Sequence, residues 1–221
     1  MKEVAYYGGT FDPVHRGHIF VADGVQRLFG LDQVKFLPAF HAPHKPDSVP
    51  TSAFHRFAML VLATSQFPNL SVSTLELEHG KKRYTIETLS ELKAIHPGER
   101  HVFIMGADSW MDILTWRGWE EVLLMTDHIV AARPGYDISF DHVSANVRER
   151  IIDVRGFDAA ETQKEFNLQR PRSHSIFITD VAEHNISATE IRIDASDGKI
   201  DRQHDMPGEV AKYIEKYELY T

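Results

Sequence analysis

Two histidines three positions apart, His15 and His18, close a stretch that begins with two glycines, Gly8-Gly9-Thr10-Phe11-Asp12-Pro13-Val14-His15-Arg16-Gly17-His18. Glycine lets the backbone approach a ligand closely and tolerates positive φ. A helix that follows such a turn presents unpaired N–H groups and a positive dipole end, which suit phosphate. On that helix the two rings would face one side. Imidazole can donate hydrogen bonds to phosphate oxygens without a permanent charge. The stretch is not a dinucleotide fingerprint, because G-x-G-x-x-G is missing. Nor is it a Walker loop, because no Gly-Lys-Ser/Thr follows. Taken alone, His-x-x-His is more often an incidental pair on a glycine-rich turn. A paired-histidine metal site would need a third ligand, and none follows nearby at suitable spacing.

Further candidates follow other apolar runs. Pro43-His44-Lys45 offers a lysine point charge for phosphate, with His44 as a weaker candidate; an exposed loop lysine is the plain alternative. Tyr84-Thr85-Ile86-Glu87 opens a helix with Thr85 placed to cap it. In Met105-Gly106-Ala107-Asp108, Gly106 permits close approach, and Asp108 either accepts from ribose hydroxyls or caps a helix. Trp116 can stack on a planar ring, whereas core packing is expected for Trp119. Asn185-Ile186-Ser187-Ala188-Thr189-Glu190-Ile191-Arg192 predicts a helix started by a Ser187/Glu190 capping box. The Ser187 and Thr189 hydroxyls and the first N–H groups, Ala188 included, can surround phosphates there. Arg192, one turn on, can reach phosphate bidentately. A well-capped surface helix with a solvated arginine explains the same residues without a ligand.

The elements that must position these groups alternate. Strands are predicted at Val4–Tyr7, Val34–Leu37, Leu70–Leu77, His101–Met105, His128–Ala132 and Ser175–Thr179. Helices are predicted at about His18–Phe29, Ser52–Phe67, Thr85–Ile95, His142–Asp153 and Pro207–Tyr217. Strands alternating with helices imply an α/β fold, a Rossmann-like doubly wound sheet, mostly parallel, with helices on both faces. Ligands in such sheets bind beyond the carboxyl ends of the strands, near the switch point. Those ends are where the candidate loops fall. The 221 residues fit one domain, with an insertion or flap at about 135–172 and a C-terminal helical part at about 187–221.

Composition removes several function classes. There is no cysteine, which excludes disulfides, thiolate metal sites, iron–sulfur clusters and cysteine nucleophiles. The net charge of -8 argues against a broad nucleic-acid grip. No apolar run approaches the roughly 18 residues a membrane span needs. The first thirteen residues, Met1 to Pro13, lack an uninterrupted apolar core of signal-peptide length, so the expected location is cytoplasmic. A homo-oligomer is compatible with these data.

With those residues assembled, Gly8 to His18 resembles the T/H-x-G-H signature of the nucleotidyltransferase superfamily. Within that superfamily the chain is similar to the bacterial nicotinate-mononucleotide adenylyltransferases. The similarity extends to Pro43-His44-Lys45, to Tyr84-Thr85-Ile86-Glu87-Thr88-Leu89, to Gly106-x-Asp108 with Trp116, to His128–Gly135 and to Ile186–Arg192. It implies adenylyl transfer from ATP to nicotinate mononucleotide, giving deamido-NAD and pyrophosphate. The implied catalytic residues are His15, His18, Lys45 and Arg192. The implied ATP-binding residues are Gly8, Gly9, Thr10, Phe11, Gly106, Asp108, Arg133, Ser187, Ala188 and Thr189. Thr85 and Trp116 are implied at the pyridine ring, with His44 nearby. Mg²⁺ is implied as an ion held by ATP phosphates and water, with no protein metal site. The alternatives are transfer to nicotinamide mononucleotide or phosphopantetheine, cytidylyl transfer, or a non-catalytic nucleotide sensor.

Overall fold

Val4-Ala5-Tyr6-Tyr7 is buried at every position, which a strand achieves only when both faces of its sheet are covered. A computed structural model describes residues 1–41, 50–132, 138–169, 174–182, 186–199 and 205–221. The chain enters through β1 (Lys2–Gly9), α1 (Arg16–Phe29), β2 (Gln33–Pro38), α2 (Ala53–Thr64) and β3 (Leu70–Val72). It continues through α3 (Leu75–His79), α4 (Thr85–Ile95), β4 (Glu99–Gly106), α5 (Ala107–Met111), a 3₁₀ turn (Ile113–Thr115) and α6 (Trp119–Met125). The rest comprises β5 (Asp127–Ala131), α7 (Ala145–Arg148), β6 (Ile151–Asp153), α8 (Ala159–Leu168), β7 (Ile176–Thr179), α9 (Ala188–Ser196) and α10 (Gly208–Lys216).

Among the described residues, seven strands form one sheet in the order β3-β2-β1-β4-β5-β7-β6. Every pairing is parallel. Strand order reverses between β1 and β4, so the switch point lies where Gly8-Gly9 and Gly106 end their strands. The period of two shows in the core. Ala5, Tyr7, Val102 and Ile104 belong to one apolar cluster, and Val4, Tyr6, Phe103 and Met105 to the other. Each buried Val, Ile, Phe or Met side chain among them contributes roughly 1.5–3 kcal/mol. On the first face, α1 presents Ile19, Ala22, Val25 and Phe29 at helical spacing and ends at Gly30, whose φ of 66° is left-handed.

Two sequence expectations differ from the structure. The strand expected at Leu70–Leu77 stops at Val72. Ser73 donates its N–H to the Phe36 carbonyl (2.9 Å), and its hydroxyl accepts the Leu75 N–H (3.3 Å). That serine turn starts α3, whose buried Leu75 and Leu77 mimic continued alternation. The helix expected at His142–Asp153 is only α7; Ile151–Asp153 instead forms β6 and pairs with β7. Residues 138–169, expected within an insertion or flap, supply that edge strand and α8. A full capping box between Asp158 and Glu161 starts α8. Its Phe166 is fully buried against Phe29 and Phe177.

The amino-terminal edge of the sheet carries an ion cluster. Arg100 donates to Asp127 (2.9 Å) and Glu3 (3.1 Å), and its guanidinium lies 3.9 Å over the Phe166 ring. Asp127 also accepts the Ser175 N–H (2.9 Å), with His174 at 3.9 Å. Among the described residues, no helix is long and apolar enough to cross a membrane.

Candidate active site

At the opposite, carboxyl edge the loops after β1 and β4 and the start of α9 enclose a cavity of about 430 Å³. Gly8, Gly9, Thr10, Phe11, His15 and His18 form one wall. Gly106, Asp108 and Ser109 form a second, and Ser187, Ala188, Thr189 and Arg192 a third. Twelve of the residues singled out from the sequence therefore converge on one space, although they come from segments far apart in the chain.

Local sequence explains the geometry. His15 is the N-cap of α1, and His18 occupies the third helical position. Their rings stack with centroids 3.7 Å apart. His18 Nδ1 accepts the backbone N–H of His15 (3.3 Å). With Nδ1 as acceptor, the neutral ring carries its proton on Nε2, which becomes a donor. Phe11 and Tyr7 meet the His18 ring edge-on and hold its orientation. Phe11 takes a left-handed φ of 52°, which turns the loop back over the strand end. Gly8 is required for a second reason. A Cβ there would sit 2.6 Å from the Phe103 ring, whose edge meets Trp116 at 6.3 Å between centroids. A ring ladder thus runs from the Gly8 backbone to Trp116.

Ser187 caps α9 by accepting the Glu190 N–H at 3.5 Å, which is the Ser187 half of the expected box. Arg192 donates to the Asp12 carbonyl (2.7 Å) and to the Thr189 hydroxyl (3.2 Å). Asp108 is the second residue of α5 and is exposed; Gly106, not Asp108, caps that helix.

Thr85 and Trp116 do not line this cavity. Thr85 is the first residue of α4, and Tyr84 is its N-cap, a correction of the expected Thr85 cap. Tyr84 donates its N–H to Glu87 (3.0 Å). Residues beside Trp116 adjoin that helix start, with the Arg117 guanidinium 5.0 Å over the Tyr84 ring. Both Trp116 and Trp119 are half-buried; Trp110 is the tryptophan enclosed in the core. His44, Lys45 and Arg133 lie outside the described residues.

Other residues of this region went unselected in the sequence. Arg56 on α2 is fully buried and donates to the carbonyls of Thr51 (2.8 Å), Thr10 (2.6 Å), Ala39 (2.6 Å) and Phe40 (3.1 Å). Burial lowers its pKa from the ordinary arginine value, and Asp12 opposes that shift. It clamps the β1 loop to the loop after β2. A lone arginine within Ala53-Phe54-His55-Arg56-Phe57-Ala58-Met59-Leu60 was the available signal. Asp12, Thr51 and Tyr220 also line the cavity. Asp12 lay inside the glycine-rich stretch without an assigned task.

A cytidylyltransferase-like family model matches residues 6–193. A Thermoanaerobacter sp. (strain X514) protein named a probable nicotinate-nucleotide adenylyltransferase is 35% identical over 214 residues, covering 96% of this chain and 92% of its own. This chain belongs to the nicotinate-nucleotide adenylyltransferases of the cytidylyltransferase-like family. A Mycobacterium bovis (strain BCG / Pasteur 1173P2) member, also named probable, is 32% identical over 96% of the chain and 89% of its own. The Plasmodium falciparum nicotinic acid mononucleotide adenylyltransferase, solved in complex with NaAD, shares the fold. Its TM-score is 0.72 at 21% identity, over 100% of this chain and 98% of its own.

Proposed function

We propose that this adenylyltransferase-family enzyme transfers the adenylyl group of ATP to the phosphate of nicotinate mononucleotide, giving deamido-NAD and releasing pyrophosphate. One observation carries the reading. The cavity at the β1/β4 switch point gathers stacked imidazoles, a helix N-terminus and an arginine in a family whose curated relatives bear that name. An oxygen of the mononucleotide phosphate attacks the α-phosphorus of ATP as the bond to the leaving pyrophosphate breaks. The nucleophile is already ionised at neutral pH, so catalysis rests on positioning and charge stabilisation.

On this reading His18 Nε2–H meets an α-phosphate oxygen, and His15 faces the bridging region. Backbone of Gly8 to Phe11 approaches the phosphates, and Asp108 takes ribose hydroxyls. The N–H groups of α9 with Ser187, Ala188, Thr189 and Arg192 hold the leaving pyrophosphate, and Lys45 joins them on the resemblance. Gly106 and Arg133 border the adenosine. Thr85, Trp116 and His44 flank the pyridine ring. The Asp12 carboxylate already accepts the Thr51 N–H (3.0 Å) and the Tyr220 hydroxyl (2.6 Å). That donor set of imidazoles, hydroxyls and N–H groups suits phosphate oxygens. Mg²⁺ would therefore ride on the phosphates and water and neutralise developing charge. We take residues 1–221 as one catalytic domain working in the cytoplasm on small molecules, without nucleic acid or membrane.

Pyrophosphate release from ATP, measured with nicotinate mononucleotide, nicotinamide mononucleotide and phosphopantetheine in turn, tests the assignment. Release at least tenfold faster with the acid mononucleotide is expected. Equal rates with phosphopantetheine, or ATP binding without release, would reject it.

A further inference from the structure

Tyr220, beyond α10, lines the cavity at the carboxyl edge. After α10, Glu218 and Tyr220 both adopt left-handed backbone, with φ of 51° and 68°. Residues carrying a Cβ avoid that region unless their surroundings hold them there. The surroundings are evident. The Leu219 N–H donates to the Ile214 carbonyl (3.1 Å), and Leu219 and Tyr220 pack against the core. The turn directs the Tyr220 hydroxyl inward, where it donates to Asp12 Oδ1 at 2.6 Å. Asp12 Oδ2 accepts the Thr51 N–H (3.0 Å), and the Asp12 carbonyl accepts from Arg192 (2.7 Å). Four separate segments therefore meet at Asp12: the β1–α1 loop, residue 51, α9 and the C-terminus.

We propose that Tyr220 is a positioning residue of the phosphate site, acting through Asp12 on Arg192. Its hydroxyl and the Thr51 N–H immobilise the Asp12 carboxylate from two sides. That fixes the peptide whose carbonyl aims the Arg192 guanidinium across the cavity toward the leaving pyrophosphate. The inference rests on the proposed reaction for the identity of the anion, and on the geometry alone for the coupling. Burial and the neighbouring Asp12 carboxylate hold the Tyr220 phenol far above its ordinary pKa, so the hydroxyl stays a donor throughout the working pH range.

The test is a double-mutant cycle on Tyr220→Phe and Arg192→Ala, read by calorimetric binding of inorganic pyrophosphate and by turnover. Phenylalanine keeps the ring and removes only the donor. Loss of a hydrogen bond to a carboxylate gives an expected weakening of pyrophosphate binding of about tenfold for Tyr220→Phe. kcat should fall similarly, with the mononucleotide KM within twofold of wild type. In the Arg192→Ala background, Tyr220→Phe should change neither binding nor kcat further. Unchanged pyrophosphate affinity in Tyr220→Phe, with or without a lower Tm, overturns the proposal. Multiplicative effects in the double variant overturn it equally. If the wild-type chain binds pyrophosphate but does not turn over, the proposed reaction fails, and the binding cycle still decides the coupling.

Discussion

The two edges of the same sheet use polar groups in opposite ways. At the amino edge, Arg100, Glu3, Asp127 and His174 face one another, and Arg100 covers Phe166. At the carboxyl edge, His15, His18, Thr189 and Arg192 face a space of about 430 Å³. Side chains of similar chemistry thus serve the fold where they satisfy one another, and offer a site where they surround a cavity. The difference predicts separable mutational effects, with stability lost from one edge and turnover from the other.

The largest expected effect is at His18. On the proposed mechanism His18→Ala removes a donor aimed where charge develops, so kcat should fall by about 10²–10³. Its ring is half-buried at a helix start, and the Tm should stay within a few degrees. A kcat within tenfold of wild type would break the contrast, because the carboxyl edge would then hold no dominant catalytic donor. Arg100→Ala should do the reverse. Removing one partner of a buried ionic cluster costs several kcal/mol. The cluster is slightly exposed, so we expect about 3 kcal/mol in urea unfolding, with kcat within twofold. A matching fall in kcat would mean that the two edges are coupled.

The site was far more legible in the sequence than its supports. His15–His18, Gly106–Asp108 and Ser187–Arg192 are each local, so the spacing within a few residues already states their relation. Strand order then places them at one edge. The supports have no local signature. The Tyr220 contact to Asp12 spans 208 positions, and Arg56 reaches three carbonyls on other segments, those of Thr10, Ala39 and Phe40. Strand β6 is three residues long, too short to display a period of two, so its Ile151-Ile152 read as the end of a helix. Trp116 reads as a stacking residue by type, and its edge-on contact with Phe103 has no signal in the sequence.

Acid should act chiefly on the amino edge. His128 near the start of β5 is completely buried and donates Nδ1–H to the Thr126 carbonyl (2.9 Å). Burial pushes its pKa down from 6.5 to about 4, opposed by Thr126 and Asp127 and reinforced by His174. His101 and His174 shift the same way, again mainly through burial. The folded state thus binds fewer protons than the unfolded chain between those values. Stability is complete above pH 6.5 and falls as the pH drops toward 4. For His128 alone the loss at pH 5 is roughly 2 kcal/mol. Urea midpoints across that range should show it, and His128→Asn should flatten the curve. An unchanged slope in His128→Asn would move the acid sensitivity to other groups.

The smallest effect sharpens the boundary of the carboxyl edge itself. Trp116 lies outside the carboxyl-edge cavity, yet its ring rests edge-on against Phe103, which fills the space left by Gly8. If the pyridine ring stacks there, Trp116→Ala removes an aromatic contact worth about 1 kcal/mol beyond its area. The mononucleotide KM should rise about fivefold, since each 1.4 kcal/mol is a factor of ten, and the ATP KM should stay within twofold. The direction of a departure is informative. An equal rise in both KM values would mean that losing Trp116 lets the Phe103 ring move and disturbs the Gly8 backbone. Trp116 would then be a support of the phosphate loop, an aromatic counterpart of Arg56, and the pyridine subsite would have to lie elsewhere along the strand ends.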